Sequence, residues 1–400
     1  MALDILTELL DLPQVEVLQY TLPDAERLVL TLGWQTDLAV CPTCAHISTA
    51  VHGDYGAPRT VRDLDIGGRR CYLRFTPRQF KCAQCQDTFV ERLMWLEPRQ
   101  HLTRRLENTI YALIRRTNVI EAVRHYGESE DVVRSIFVRH ATAQVTARGY
   151  PLVNVLHVDE IAPHKGHGNY QLILSSPEVG VLDVLENRLK ATLEAWFAER
   201  GPEWCAAVQE FHTDMWRAYH DVARAQLPNV PMTTADHFHV IDNLNTALGE
   251  VRKTIQRTAD SATREVLKGS RWLVLKSREA LTEQEQEHLD IILDAVPALA
   301  CNYTLKEDFR AIYQLRDPQA AAEALDQWLE QARTTGHTAM QTFVNTVTNW
   351  REEILSYFRT RGSNGFAEGV NNKIKLVLRR AFGCPNFEHF RLRIIVAFGA

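Results

Sequence analysis

The sequence runs to 400 residues, 45% hydrophobic and 24% charged, which is chain enough for a sizeable core and roughly two to four domains. It has no stretch of roughly eighteen apolar residues, and its opening, MALDILTELLDLPQ, is acidic. A transmembrane helix and a secretory signal are therefore excluded, and a cytoplasmic, nucleoid-associated location is expected.

The net charge of −5 speaks against a nucleic-acid partner, but its distribution does not. Residues 1–40 carry seven acids and one arginine, and residues 281–335 carry eleven acids against four bases. Residues 58–148 are arginine-rich instead, and residues 358–400 have eight Lys/Arg against two acids. A basic surface can exist within an acidic whole.

Two matching clusters, CPTC (Cys41, Cys44) and CAQC (Cys82, Cys85), flank a strand-rich spacer. Two such knuckles have the spacing of a tetrahedral zinc site. Disulfides do not suit a chain without an export signal, and a thioredoxin-like motif would not come twice. His46, His52 and Cys71 are nearby substitute ligands. Four thiolates leave no open coordination position, so the metal would hold the fold rather than do chemistry. In the spacer, TVRDLDI and RRCYLRFTPRQFKC read as strands. Cys71, Leu73 and Phe75 alternate with Arg70, Tyr72 and Arg74, giving a ribbon whose arginine face (Arg70, Arg74) would meet DNA phosphates.

Residues 102–148 read as helix. Thr103 caps a first helix with Leu106, Ile110, Leu113 and Ile114 on its apolar stripe. NVIEAVRHY, a break at Tyr126–Gly127–Glu128, and a second helix capped by Ser129 outline a helix-turn-helix. Its second helix would offer Arg134, Arg139 and His140 to the major groove; an ordinary helix pair is the alternative.

From residue 151, VNVLHVDE, NYQLILSS and VGVLDVLE are three β-rich runs. Helices and strands then alternate through VQEFHTD and VPMTT to the helix from ADHFHVIDNLNTAL. That order is the order of an RNase H-like fold. Asp159 closes the first strand and Asp214 the fourth, where α/β folds place ligands. Alternation sends Glu160 to the opposite face from Asp159. Residues 245–350 are mostly helical and acidic, far longer than a connection, and read as an insertion.

The segment SNGFAEGVNNKIKLVLRRAFG (363–383) forms an amphipathic helix. Phe366, Val370, Ile374, Val377, Leu378 and Ala381 lie on one side; Glu368, Asn372, Lys375 and Arg379 line the other. A solvated charge pattern would account for that face. So would a metal-ligating Glu368 whose neighbouring cations meet phosphates. Asp159, an acid of the fourth strand region and Glu368 would repel one another unless they shared hard divalent ions such as Mg²⁺ or Mn²⁺. The residues alone do not choose Asp214 over Asp183 or Asp236.

The chain resembles the DDE transposases of bacterial insertion sequences, specifically the ISL3 family. HVDEIAPHKG, TADHFHVIDNLNTALGEVRK and SNGFAEGVNNKIKLVLRRAFG with NFEHFRLRI carry the resemblance. It implies the catalytic, Mg²⁺-binding triad Asp159, Asp214 and Glu368, with two Mg²⁺ ions (or Mn²⁺) and a structural Zn²⁺ as cofactors. Asp236 and His239 match a D-x-x-H signature and, with Asn372 and Lys375, would support the triad. Arg70, Arg74, Arg134, Arg139, His140, Lys165, Lys373, Arg379 and Arg380 would bind DNA.

The expected whole is a multidomain α+β chain. Its parts are an N-terminal segment with zinc ribbon (1–98), a helix-turn-helix region (99–150), an RNase H-like α/β catalytic core (151–244 and 351–400) and an all-helical insertion within that core (245–350). Its partners would be the terminal inverted repeats of its element and target DNA, bound as a homodimer or larger assembly. Two rivals remain. His157, His164, His167, His237 and His239 suggest a mononuclear zinc hydrolase, and a transposase-derived regulator would bind DNA without cutting it.

Overall fold

The computed structural model describes residues 2–162, 170–361, 365–381 and 386–399. The chain divides into two compact units, residues 1–142 and 143–400. Among the described residues, no helix is long and apolar enough to cross a membrane.

The first unit opens with α1 (Ala2–Leu10) and continues through nine strands: β1 (Val15–Thr21), β2 (Arg27–Trp34), β3 (Ala39–Val40), β4 (Ile47–Ser48), β5 (Val51–Asp54), β6 (Arg59–Ile66), β7 (Arg69–Phe75), β8 (Arg78–Lys81) and β9 (Thr88–Val90). Four of them form a sheet in the order β1-β2-β7-β6, in which only β2 and β7 pair in parallel. The alternation read in RRCYLRF holds. Cys71, Leu73 and Phe75 are buried with Leu30, Val61 and Trp95, and Arg70 and Arg74 are exposed. The expectation that these arginines lie on the ribbon is corrected. They belong to this sheet, because β7 pairs with β2 and β6, whereas the ribbon is built from the β3–β4 hairpin and the separate sheet β5-β8-β9. The acidic first forty residues supply β1 and β2.

Arg78 clamps the ribbon to this sheet. Its guanidinium donates to both carboxylate oxygens of Glu91 (3.0 and 2.9 Å), to Asp37 (2.8 Å) and to the Thr36 carbonyl (2.9 Å). It also lies 4.4 Å over the Trp34 ring. A buried guanidinium with this many acceptors fixes direction as well as energy.

Helices α2 (Arg104–Arg116), α3 (Val119–Tyr126) and α4 (Glu130–Arg148) follow. Thr103 and Asn118 cap α2 and α3 as their side-chain chemistry dictates. Gly127 ends α3 in the left-handed conformation at φ 66°, and Ser129 Oγ accepts from Val132 N at the start of α4. Arg62, buried on β6, donates to the Tyr126 carbonyl and to Glu128. The same sheet thus holds the turn between α3 and α4.

The second unit is built on five strands, β10 (Val155–Ile161), β11 (Gln171–Ser176), β12 (Gly180–Leu185), β13 (Glu210–Thr213) and β14 (Thr234–Ala235), interleaved with α5 (Lys190–Ala207) and α6 (Arg217–Gln226). Their order is β12-β11-β10-β13-β14. The first three form an antiparallel meander, and β13 and β14 add in parallel to β10. Central strands buried on both faces read as continuous apolar runs, as Leu172–Ile173–Leu174 of β11 does, followed by the buried Ser175 and Ser176. Leu156, Val158, Leu172 and Leu174 pack with Trp196, Phe197 and Tyr219 of α5 and α6.

From β14 the chain runs through α7 (His237–Thr258), α8 (Ser261–Val266), α9 (Arg271–Leu275), α10 (Glu283–Ala295), α11 (Pro297–Ile312), α12 (Pro318–Arg333), α13 (Thr338–Asn349) and α14 (Arg351–Thr360). These helices bury cores of their own, one around Phe309, Trp328 and Phe343 and another around Leu289, Ile292 and Leu299. Helices α15 (Gly365–Arg380) and α16 (Phe387–Phe398) return to the sheet. Their Val370, Ile374, Phe390 and Ile394 cover Ile161, Ile173 and Val181, on the face away from α5 and α6.

Candidate functional site

The cysteine cluster is built from two like turns. After each C-x-x-C the next residue, Ala45 or Gln86, is left-handed at φ 59° or 64°. Its N–H returns to the carbonyl of the first cysteine, Cys41 or Cys82, at 2.9 or 3.1 Å. The four sulfurs converge, with Cys41 Sγ 3.6 Å from Cys85 Sγ and Cys44 Sγ 3.5 Å from Cys82 Sγ. All four are free thiols, and their ligand atoms lie within 4.8 Å of one another. Burial opposes ionisation of Cys41, but the N–H groups of Cys44 and Thr43 outweigh it and bring the thiol down to about 7. His46 and Cys71, considered as substitute ligands, are not in the group: His46 meets the cluster through its backbone, its carbonyl accepting from Cys41 N at 2.9 Å, while the residue is exposed, and Cys71 lies in the four-stranded sheet's core.

The second site lies at the strand ends. Parallel register pairs His157 with His212, and His212 with Thr234. Two residues further along, Asp214 and Asp236 directly follow β13 and β14, and Asp159 stands beside them on β10, two residues before that strand ends rather than closing it, because Glu160 and Ile161 still pair with β11. Asp236 N donates to the Thr213 carbonyl at 3.0 Å, and its carboxylate caps α7 through Phe238 N. His239 Nε2 is 3.8 Å from Asp236 Oδ2. His220 Nε2 lies 2.9 Å from the Asp214 carbonyl, and its Nδ1 lies 2.6 Å from Thr233 Oγ1. Below the acids, His157 and His212 stack at 4.8 Å, and burial brings His212 down to about 4.

The electrostatics follow from crowding. Burial, then repulsion from Glu160, raises Asp214 to about 6; Asp159 and Asp236 add to this and His239 opposes it. Burial also raises Asp159, against the pull of the Glu160 N–H and of His239. Asp214 Oδ1 is buried with no hydrogen-bond partner. A carboxylate held in this way suits a hard cation.

Helix α15 docks over Asp159 through Asn371, whose Nδ2 donates to Asp159 Oδ2 at 2.8 Å. Glu368 lies one turn earlier and is exposed, as are Asn372, Lys373, Lys375, Arg379 and Arg380. Sequence reasoning named Asn372, in line with Glu368; the docked face is instead Ala367, Val370, Asn371 and Ile374. The first asparagine of the N-N doublet was the available signal. Among the described residues, the four cysteines are the one group of three or more ligand side chains within 4.8 Å of one another.

Two rival acids have other work. Asp183 accepts from Tyr150 Oη (2.6 Å), Trp196 Nε1 (2.9 Å) and Arg391 Nε (2.6 Å), joining β12 to α16. Glu160, on the face opposite Asp159 as alternation requires, accepts from Tyr219 Oη (2.6 Å) and Arg188 (3.2 Å). Sequence reasoning missed the array around Arg188, which lies 4.5 Å over Tyr170 and 5.3 Å over the exposed Trp216.

Of the expected DNA contacts, Arg139 and His140 turn back onto the buried Glu107 of α2, at 2.5 and 3.5 Å. They brace the helix pair. Arg134 pairs with Glu130 one turn away on α4. Lys165, and with it His164 and His167, lies outside the described residues.

Three family models match the chain. One described as "Transposase" covers residues 156–394. The zinc-finger of transposase IS204/IS1001/IS1096/IS1165 covers residues 37–85, and the helix-turn-helix domain of transposase family ISL3 covers residues 91–141. The transposase for insertion sequence element IS1001 of Bordetella parapertussis is 29% identical over 387 residues, 96% of this chain and 95% of the relative. The transposase for insertion sequence element IS1557 of Mycobacterium tuberculosis is 26% identical over 250 residues, 56% of each chain.

Proposed function

The chain belongs to the ISL3 family of transposases, and from that premise we propose that it cuts and joins DNA at the terminal inverted repeats of its insertion sequence through Asp159, Asp214 and Glu368. The observation that carries this reading is the level placement of Asp159 and Asp214 on adjacent parallel strands, with the Glu368 helix tied to Asp159 by Asn371. The donor set fits Mg²⁺, or Mn²⁺ in its place: hard oxygens, raised carboxyl pKa values and a partnerless buried Asp214 oxygen. Two such ions, when bound, supply Lewis-acid stabilisation for an in-line phosphoryl displacement.

The chain's own residues set the rest. Asn371 holds Asp159 at one angle, and His220 fixes the backbone beneath Asp214. Asp236 and His239 tune the charge at the strand ends. Lys373, Lys375, Arg379 and Arg380, exposed beside Glu368, meet DNA phosphates, and Arg70 and Arg74 do so from β7. In this reading residues 151–244 and 351–400 form an RNase H-like core around a helical insertion (245–350). Residues 1–98 and 99–150 recognise the element's ends, with zinc held by Cys41, Cys44, Cys82 and Cys85. Two ends must be brought together, so a homodimer or larger assembly on the nucleoid follows.

The test is cleavage and strand transfer of end DNA with Mg²⁺, comparing wild type with Glu368→Gln. Cutting at the repeat tip by wild type alone supports the reading. If both proteins bind without cutting, the chain acts as a DNA-binding regulator.

A further inference from the structure

Within the helical segment, α7 and α9 enclose a cleft of about 400 Å³, lined among others by Asn245, Gly249, Arg252, Lys253, Arg271 and Trp272. Three features of it have no explanation in the protein's own packing. Arg252 is only 9% exposed, yet its Nε has no partner, and its one side-chain bond is to the neutral Gln256 at 3.0 Å. Burial and the nearby Arg271 hold its pKa below the ordinary arginine value, with Glu250 opposing. A buried cation left without an anion is costly.

Gly249 is the second feature. It sits inside a 22-residue helix, where glycine costs about 1 kcal/mol against alanine. A Cβ there would meet nothing within 4 Å beyond its own helix. The glycine thus serves no internal close approach and leaves the cleft floor open. The third feature is Trp272, 63% exposed at the rim, with the Arg271 guanidinium 4.9 Å from its ring.

Charge selects the occupant. The cleft is lined by two acids, Asp242 and Glu250, against four bases. Lys253 is already paired with Glu250 and Lys276 with Glu285, whereas no carboxylate among the described residues, Asp242 included, pairs with Arg252 or Arg271. Two spare guanidiniums, an open floor and an exposed indole match a phosphodiester flanked by a sugar or base. We propose that this cleft is a second DNA-binding site, which takes the backbone of the bound DNA on Arg252 and Arg271 over Gly249, with Trp272 against the adjoining nucleotide. It rests on the chain's being a DNA-acting transposase, but not on the strand-end carboxylates.

The test is equilibrium binding of fluorescent end DNA to the full-length protein by anisotropy, without Mg²⁺, across a salt series. Gly249→Leu, Arg271→Ala and Trp272→Ala are compared with wild type, and each Tm is measured. Each variant should bind roughly tenfold more weakly, and Arg271→Ala should lower the log–log salt slope by about 1, at unchanged Tm. Unchanged affinity and slope in Gly249→Leu and Arg271→Ala would overturn the proposal. So would losses that track a falling Tm, because they would assign the cleft to folding. No cleavage is read, so a failure of the carboxylate reading shows up separately, as intact binding without cutting.

Discussion

Asn371 donates its amide to Asp159 at 2.8 Å and so ties the helix that bears Glu368 to the strand that bears Asp159. The bond joins residues far apart in the chain. Beside the apolar packing of Val370 and Ile374 on Ile161, it fixes where that terminal helix sits on the first strand of the sheet.

Asn371→Leu keeps the volume and removes the donor. A hydrogen bond to a charged group contributes about 1.5–3 kcal/mol, so strand cleavage should slow by roughly 10- to 150-fold. End-DNA affinity should not change, since Asn371 is buried. Single-turnover cleavage beside anisotropy checks both. A matching loss of affinity would make Asn371 a general fold determinant instead.

Asp214 titrates at about 6 in the folded chain, against 3.8 for an ordinary carboxyl. Between about pH 4 and pH 6 the folded state therefore holds a proton that the unfolded chain has released, so stability falls as pH rises through that window. Asp214→Asn escapes this penalty. In buffer without Mg²⁺ it should be more stable than wild type at pH 7 by about 2–3 kcal/mol, the gap closing towards pH 4. Urea unfolding at several pH values measures it. Added Mg²⁺ should raise the Tm of wild type and leave that of the variant.

The four cysteines hold the ribbon from two separate turns. Cys41→Ser should cut bound zinc from one ion per chain to none and unfold the ribbon, because zinc binding supplies about 10–16 kcal/mol of folding free energy in small zinc modules. Specific end binding should go with it. Metal analysis and a footprint are the checks; a full footprint without zinc would remove the ribbon from recognition.

Gly127 carries the turn between α3 and α4 at φ 66°, with the Arg70 guanidinium packed where a Cβ would stand. Gly127→Ala should cost about 1–2 kcal/mol of stability from the left-handed backbone alone. Arg70 must also swing away, so end-DNA affinity should fall while zinc content stays at wild-type level. Calorimetry and anisotropy on one sample separate the two effects.

Much of this was legible in local sequence. The knuckles, the capped helices around Gly127 and the acid at each strand end are read within a few residues, because spacing and capping are local chemistry. What escaped depends on distant partners. The parallel pairing of β2 with β7 places Arg70 and Arg74 on a sheet rather than on the ribbon. Arg391 turns Asp183 into a structural acid, and Glu107 draws Arg139 back to α2. The choice of Asn371 over Asn372 turns on a single step of 100° around a helix, which packing against Asp159 decides.

Through Trp34 of β2 and the Thr36 carbonyl just beyond it, Arg78 fastens the ribbon to one end of the four-stranded sheet, and Arg62 fastens the helix-turn-helix to β6 of the same sheet. The ribbon and the helix-turn-helix are therefore riveted to one plate rather than strung on a tether, and if both read the element's ends as proposed, the distance between their DNA contacts is fixed. A rigid reader is sensitive to helical phase. Inserting about five base pairs between its two contact blocks would turn the second block to the far side of the duplex, whereas about ten would restore its facing. On the proposed reading, the spacing within each terminal repeat, as much as its letters, is thus part of what this sheet would require of its DNA.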